Sequence, residues 1–174
     1  DERVCGDKRT ECGVLETLIT TVRNSFPRDE AIIYTNECGS FFEKKPCDIP
    51  ADVDWIGFDK YRSDTKDGFV DKVQDMFKEL VYPRLADHQK VVLVPGVGHP
   101  KDDFKICDDK CTAEIELQDS KEYVAWAEKD DRVAMIAPYA WVRDGPGGKE
   151  VGLSEMDHAD DLISYWVNYG RSTK

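Results

Sequence analysis

The chain has 174 residues, 40% of them hydrophobic and four of them Trp, enough to bury a core of its own as a single domain over 1–174. A formal net charge of -12 weighs against nucleic acid and anionic membrane surfaces as partners, since both require clustered Lys and Arg. No stretch approaches the roughly 20 consecutive apolar residues of a membrane helix, so no membrane partner is expected.

After a Cys- and charge-rich start, Val14, Leu15, Leu18, Ile19, Val22 and Phe26 fall at helical spacing, and Pro27 closes the segment. The run Ala31 to Glu37 predicts a first strand and Val53 to Tyr61 a second. From Phe69 to Leu85 the positions Phe69, Val70, Val73, Met76, Phe77, Leu80 and Val81 predict an amphipathic helix facing a sheet. Val91 to Gly96 reads as a third strand, followed by a long acidic loop with Pro100, Cys107 and Cys111. A helix over Ser120 to Lys129 then leads to a fourth strand, Val133 to Trp141, and Asp160 to Tyr169 reads as a closing helix. There is no internal repeat, low-complexity tract or hinge-like linker.

Strands alternating with helical segments predict an α/β fold of parallel strands joined by helical crossovers, with functional side chains at the strands' C-terminal ends. A TIM-type barrel needs eight strands and roughly 250 residues. The four strands here therefore predict a (β/α)4 half-barrel completed by a second polypeptide or a second copy. The alternative is a flavodoxin-like doubly wound sheet, which fits the length better. Against it, Cys38, Phe41 and Phe42 follow the first strand where a phosphate-cradling loop would stand. Helices on both sheet faces would favour that alternative; helices on one face would favour the barrel.

The six cysteines form three local pairs, Cys5 with Cys12, Cys38 with Cys47 and Cys107 with Cys111. Their even number and loop-like settings favour disulfides in an oxidising compartment, hence a secreted protein whose processing is complete by Asp1, although other connectivities stay open. A zinc reading of Cys107 and Cys111 lacks a second Cys or His pair nearby, and no metal or other cofactor is expected. Glu155, Asp157 and His158 could ligate an ion, but acids ahead of a helix ordinarily serve its N-terminal charge preference.

The candidate catalytic residues lie at predicted strand ends. Glu37 closes the first strand, sharing a face with Ile33 and Thr35; it is either a proton donor or acceptor at a substrate oxygen or an exposed loop carboxylate. Asp59 closes the second strand on one face with Trp55, Gly57 and Tyr61; it is either a second carboxylate at glycosidase spacing or a buried acid bonded to backbone or Arg62. The third strand ends in Val94, Pro95 and Gly96 with no acid, and His99 is the next ionisable group. Tyr139 and Trp141 end the fourth strand and either offer a platform to the apolar face of a sugar or plug a core. No Gly-X-Ser-X-Gly elbow, His-Glu-X-X-His motif or phosphate-binding glycine loop occurs.

At YTNE (Tyr34 to Glu37), DWIGFDKY (Asp54 to Tyr61), VLVPG (Val92 to Gly96) and IAPYAW (Ile136 to Trp141), the chain resembles the C-terminal half of a glycoside-hydrolase-like TIM barrel. Asn36-Glu37 is similar to the Asn-Glu acid/base motif of retaining glycosidases, although those barrels carry it on the fourth strand. Counting Trp141 as the end of strand eight places Glu37 on strand five. The resemblance then expects a second catalytic Glu on strand seven, where Val94-Pro95 stands instead. Taken with the strand-end reading, the expected site has Glu37 and Asp59 as catalytic residues and Asn36, Tyr61, His99, Tyr139 and Trp141 as carbohydrate-binding residues. The corresponding function is a secreted protein binding or hydrolysing carbohydrate; the alternative is a non-catalytic subunit of an extracellular assembly that keeps the fold without the chemistry.

Overall fold

The computed structural model describes residues 9–37, 49–62, 65–100, 107–139 and 150–172, with the side chains of residues 9–15, 37, 59, 98–100 and 150 excepted. Helix α1 (Arg9–Ser25) leads to strands β1 (Tyr34–Glu37) and β2 (Trp55–Asp59). Helix α2 (Phe69–Met76) is followed by β3 (Lys90–Val94), β4 (Gly98–Pro100) and α3 (Asp109–Ala127). The chain continues through β5 (Val133–Ile136), β6 (Glu150–Gly152) and α4 (Asp160–Ser172).

Strands β1, β2, β3 and β5 form one parallel sheet whose spatial order follows chain order. Helices α2 and α3 carry the connections from β2 to β3 and from β3 towards β5, an alternation compatible with (β/α) units. The register sets Ile56 opposite Val91 and Phe58 opposite Leu93, so these four side chains share a face. They join Ile19 of α1, Val70 and Val73 of α2, and Tyr123 and Trp126 of α3 in one core cluster. Ring packing tightens it: Phe77 meets Phe58 at 5.4 Å and Trp126 at 5.1 Å between centroids, both edge-to-face. A second cluster joins Val97, Ala113, Val124, Leu153, Leu162 and Trp166, docking α4 against α3.

The sheet's chemistry follows position. Val91, Val92, Leu93 and Val94 of the central strand β3 are all buried, as a near-continuous apolar run requires when both faces are covered. On the face away from the first cluster, Tyr34 on one edge strand and Met135 on the other remain exposed.

Two helical expectations and one loop are refined. The segment beginning at Phe69 is regular only to Met76; a π-helical turn follows over Phe77–Val81 and a 3-10 turn over Tyr82–Arg84. The buried series Val70, Val73, Phe77, Val81 steps by three and then twice by four, and the wider turn keeps its last members on the sheet until Pro83 stops the helix. Helix α2 starts after Gly68, whose φ of 71° lies in the left-handed region. Helix α3 is far longer than Ser120 to Lys129, because Asp108 caps it, its side chain accepting from the Cys111 N–H at 2.9 Å. The segment after the third strand contains β4, which pairs antiparallel with β6, where a plain loop was expected.

Candidate functional site

The N-terminal end of the sheet is braced by polar side chains. Asp54 accepts from the guanidinium groups of Arg23 and Arg28 and from the Ile33 N–H. Burial works to raise its pKa, but these hydrogen bonds and charges outweigh it and hold the carboxyl below its ordinary value. Buried Gln89 donates to the Pro50 and Val53 carbonyls, both at 2.9 Å. Asp130 accepts from the Arg132 guanidinium at 2.8 and 2.9 Å and from the Tyr82 hydroxyl at 2.8 Å. Burial again opposes ionisation, yet the donors bring Asp130 down to about 2. Burial, followed by the Asp130 contact, raises the Tyr82 hydroxyl well above its usual range. Arg132 also covers the Tyr82 ring, 3.5 Å from its centroid.

The C-terminal end is built from aromatics and glycines. The β3–β5 pairing continues past the strands, where Gly96 bridges Tyr139 and the Tyr139 N–H donates to the Pro95 carbonyl at 3.0 Å. Tyr61 leans over Gly96: a Cβ there would stand 3.0 Å from the Tyr61 ring. Tyr61 and Tyr139 stack with centroids 6.1 Å apart and planes 19° from parallel, and they remain 38% and 43% exposed. Two rows back on the same face, at the middle of β2, Asn36 lies opposite Gly57, and the Tyr34 hydroxyl donates to the Asn36 carboxamide oxygen at 2.9 Å. A side chain at Gly57 would collide with both groups. Each glycine thus opens room for a tyrosine to lie across the sheet. The result is a half-exposed surface with aromatic faces, hydroxyls and a carboxamide, a combination suited to an amphipathic, hydroxyl-rich ligand.

The expected site residues distribute unevenly. Tyr61 and Tyr139 are brought together, and Asn36 lies with Tyr34 two rows back on the same face. In backbone register Glu37 falls opposite Phe58 and Asp59 opposite Val94, so the two acids are not cross-strand partners. His99 falls in β4 opposite Val151. Trp141, Cys5, Cys38 and Cys47 lie outside the described residues, and Cys12 is described only as backbone of α1. Cys107 and Cys111 form a disulfide, which occupies the sulfurs that a zinc ion would need. Among the described residues, no three His, Cys, Asp or Glu gather as a metal site, and no helix is long and apolar enough to cross a membrane.

Tyr34, Gly57 and Gly96 join the expected residues at this surface. Their signal is strand parity, since Tyr34 and Asn36, Gly57 and Tyr61 each stand two or four residues apart on one strand path. Arg62, considered as a partner for Asp59, forms a bidentate ion pair with Asp119 of α3, at 2.7 and 2.5 Å. Burial, then the Asp119 carboxylate, raises the hydroxyl of Tyr123 one helical turn further on.

No protein-family model matches the chain, and no curated protein matches it.

Proposed function

We propose that this is a secreted, glycoside-hydrolase-like protein that binds carbohydrate at the C-terminal ends of its parallel strands. The observation that carries the reading is the exposed Tyr61–Tyr139 stack over Gly96, with the Tyr34–Asn36 pair two rows back on the same face. Stacked tyrosines offer an apolar surface to sugar C–H groups, while neighbouring hydroxyl and carboxamide groups match sugar hydroxyls. The Cys107–Cys111 disulfide supports an oxidising compartment. The unreversed strand order and the shared core of α1, α2 and α3 on one face support a (β/α)4 half-barrel, completed by a second polypeptide or a second copy.

The catalytic roles proposed for Glu37, as general acid/base, and Asp59, as second carboxylate, are tested separately from the tyrosine surface, because the register sets the two acids at opposite strand parity. In this proposal His99 and Trp141 complete the sugar contacts. Calorimetric titration with a panel of soluble oligosaccharides tests binding. Tyr61→Ala and Tyr139→Ala should each weaken the best ligand about tenfold, a loss consistent with one aromatic contact. Wild-type affinity in both variants would overturn the site. Glu37→Gln should abolish turnover of that ligand while leaving its binding in place; unchanged turnover would overturn the catalytic assignment.

The second reading is a non-catalytic subunit that keeps the fold without the chemistry. It is favoured by the end of β3, where Val94, Pro95 and Gly96 stand in place of the second glutamate that the resemblance expects. Ligand binding without detectable turnover in the completed assembly would support it; hydrolysis lost on Glu37→Gln would reject it.

A further inference from the structure

Strand β2 ends at Asp59, so Tyr61 lies beyond its last ladder residue. The next residue, Arg62, is tied down in three directions. Its Nε and Nη2 grip the two oxygens of Asp119 on α3 at 2.7 and 2.5 Å, Nη1 donates to the Lys66 carbonyl, and the guanidinium sits 5.0 Å from the Phe69 ring centroid at the start of α2. The two side chains of the ion pair are only 9% and 8% exposed. A two-point fork of this kind fixes both distance and orientation, which a single ammonium contact cannot do.

We infer that Asp119 is a positioning residue for the aromatic site, acting through Arg62 to hold Tyr61 over Gly96 and against Tyr139. The inference rests on the carbohydrate-binding reading for its consequence, although the geometry it describes can be tested without any ligand. Asp119 does not touch the proposed ligand. By clamping Arg62 to α3 it restricts the backbone immediately after Tyr61, and so the approach of the Tyr61 ring to Gly96. A loose Arg62 would let Tyr61 leave Gly96, and the stacked surface would lose one of its two faces.

Two readouts separate this role from simple bracing of α3 against β2. Fluorine NMR of protein labelled with fluorotyrosine reports the ring-current environment of Tyr139, assigned with Tyr139→Phe, and Tyr61→Ala defines the unstacked position. Arg62→Lys keeps the charge but loses the fork, and should move the Tyr139 resonance most of the way to that position. It should also weaken oligosaccharide binding about tenfold, matching the loss expected for Tyr61→Ala. Asp119→Glu, which restores a carboxylate, should recover part of both signals where Asp119→Asn does not. If a single variant fails to fold, the double variant Arg62→Met with Asp119→Leu leaves no buried charge unpaired and should fold with the resonance displaced. A native Tyr139 resonance and native affinity in folded Arg62→Lys, or a native resonance in the double variant, would overturn the inference. An absence of oligosaccharide binding in the wild type, with the resonance still displaced by Arg62→Lys, would sink the carbohydrate reading and leave the positioning role standing.

Discussion

The two ends of the parallel sheet are made of different materials. At the N-terminal end, Asp54, Gln89 and Asp130 meet Arg and backbone partners in fixed pairings, and the groups are mostly withdrawn from water. At the C-terminal end, glycines face tyrosines, the rings stay half exposed, and the prominent contact is a stack between two aromatic side chains. The first arrangement fixes where strands begin; the second leaves surface for something else to cover. If the open surface binds ligand as proposed, mutations at the N-terminal end should act chiefly on unfolding and mutations of the exposed tyrosines chiefly on binding.

The largest expected effect lies at the braced end. Asp54→Ala strands two arginines, one of them partly buried, and should cost about 2 kcal/mol in urea unfolding while leaving ligand affinity intact. A loss below about 1 kcal/mol would break the comparison, because exposed ion pairs are worth no more than that.

Acid titration sharpens the same contrast. The folded-state pKa of Asp130 is depressed from 3.8 to about 2, so its stabilisation is fully present above the unfolded value and disappears as pH falls through the folded one. Stability should therefore fall between about pH 5 and pH 2. Asp130→Asn should flatten this part of the curve by roughly 1 to 2 kcal/mol, after allowance for solvent screening. Asp54, depressed in the same direction, should add to the same acid limb. An unchanged limb in both Asp130→Asn and Asp54→Asn would show that neither carboxylate sets the acid limb.

At the open end, Gly57→Ala should displace the Tyr34 hydroxyl from Asn36 and cost about 1 kcal/mol, since the added methyl group meets the ends of side chains that can shift. Ligand binding should weaken with it. The smallest stability change belongs to Tyr139→Ala, within about 0.5 kcal/mol, as expected for a half-exposed residue outside both core clusters. Its binding loss should nonetheless match that of Tyr61→Ala.

Much of this architecture is legible in the sequence because β3 is a nearly unbroken apolar run and α4 carries Leu162 and Trp166 at helical spacing. Helix α3 is not legible over its first half, since its buried positions include Thr112, Glu116, Asp119 and Ser120, which erase the apolar periodicity. The same polar face hides the partner of Arg62. The first strand is shorter than Ala31 to Glu37 because the Ile33 N–H turns to the Asp54 carboxylate, outside the ladder. Strand β4, Gly-His-Pro, has too few β-forming residues to be read at all. Within the site, the aromatic ends are visible from strand parity. The roles of Gly57 and Gly96 become clear only when the register sets them beside Asn36 and Tyr139.

The most direct test is a map of backbone amide shifts as the best-binding oligosaccharide is added to the folded protein. The shifts should be confined to the C-terminal strand ends, around Asn36, Tyr61, Val97 and Tyr139, with Asp54 and Arg132 unmoved. Shifts centred on the N-terminal ion pairs, or no shift with any oligosaccharide, would contradict it.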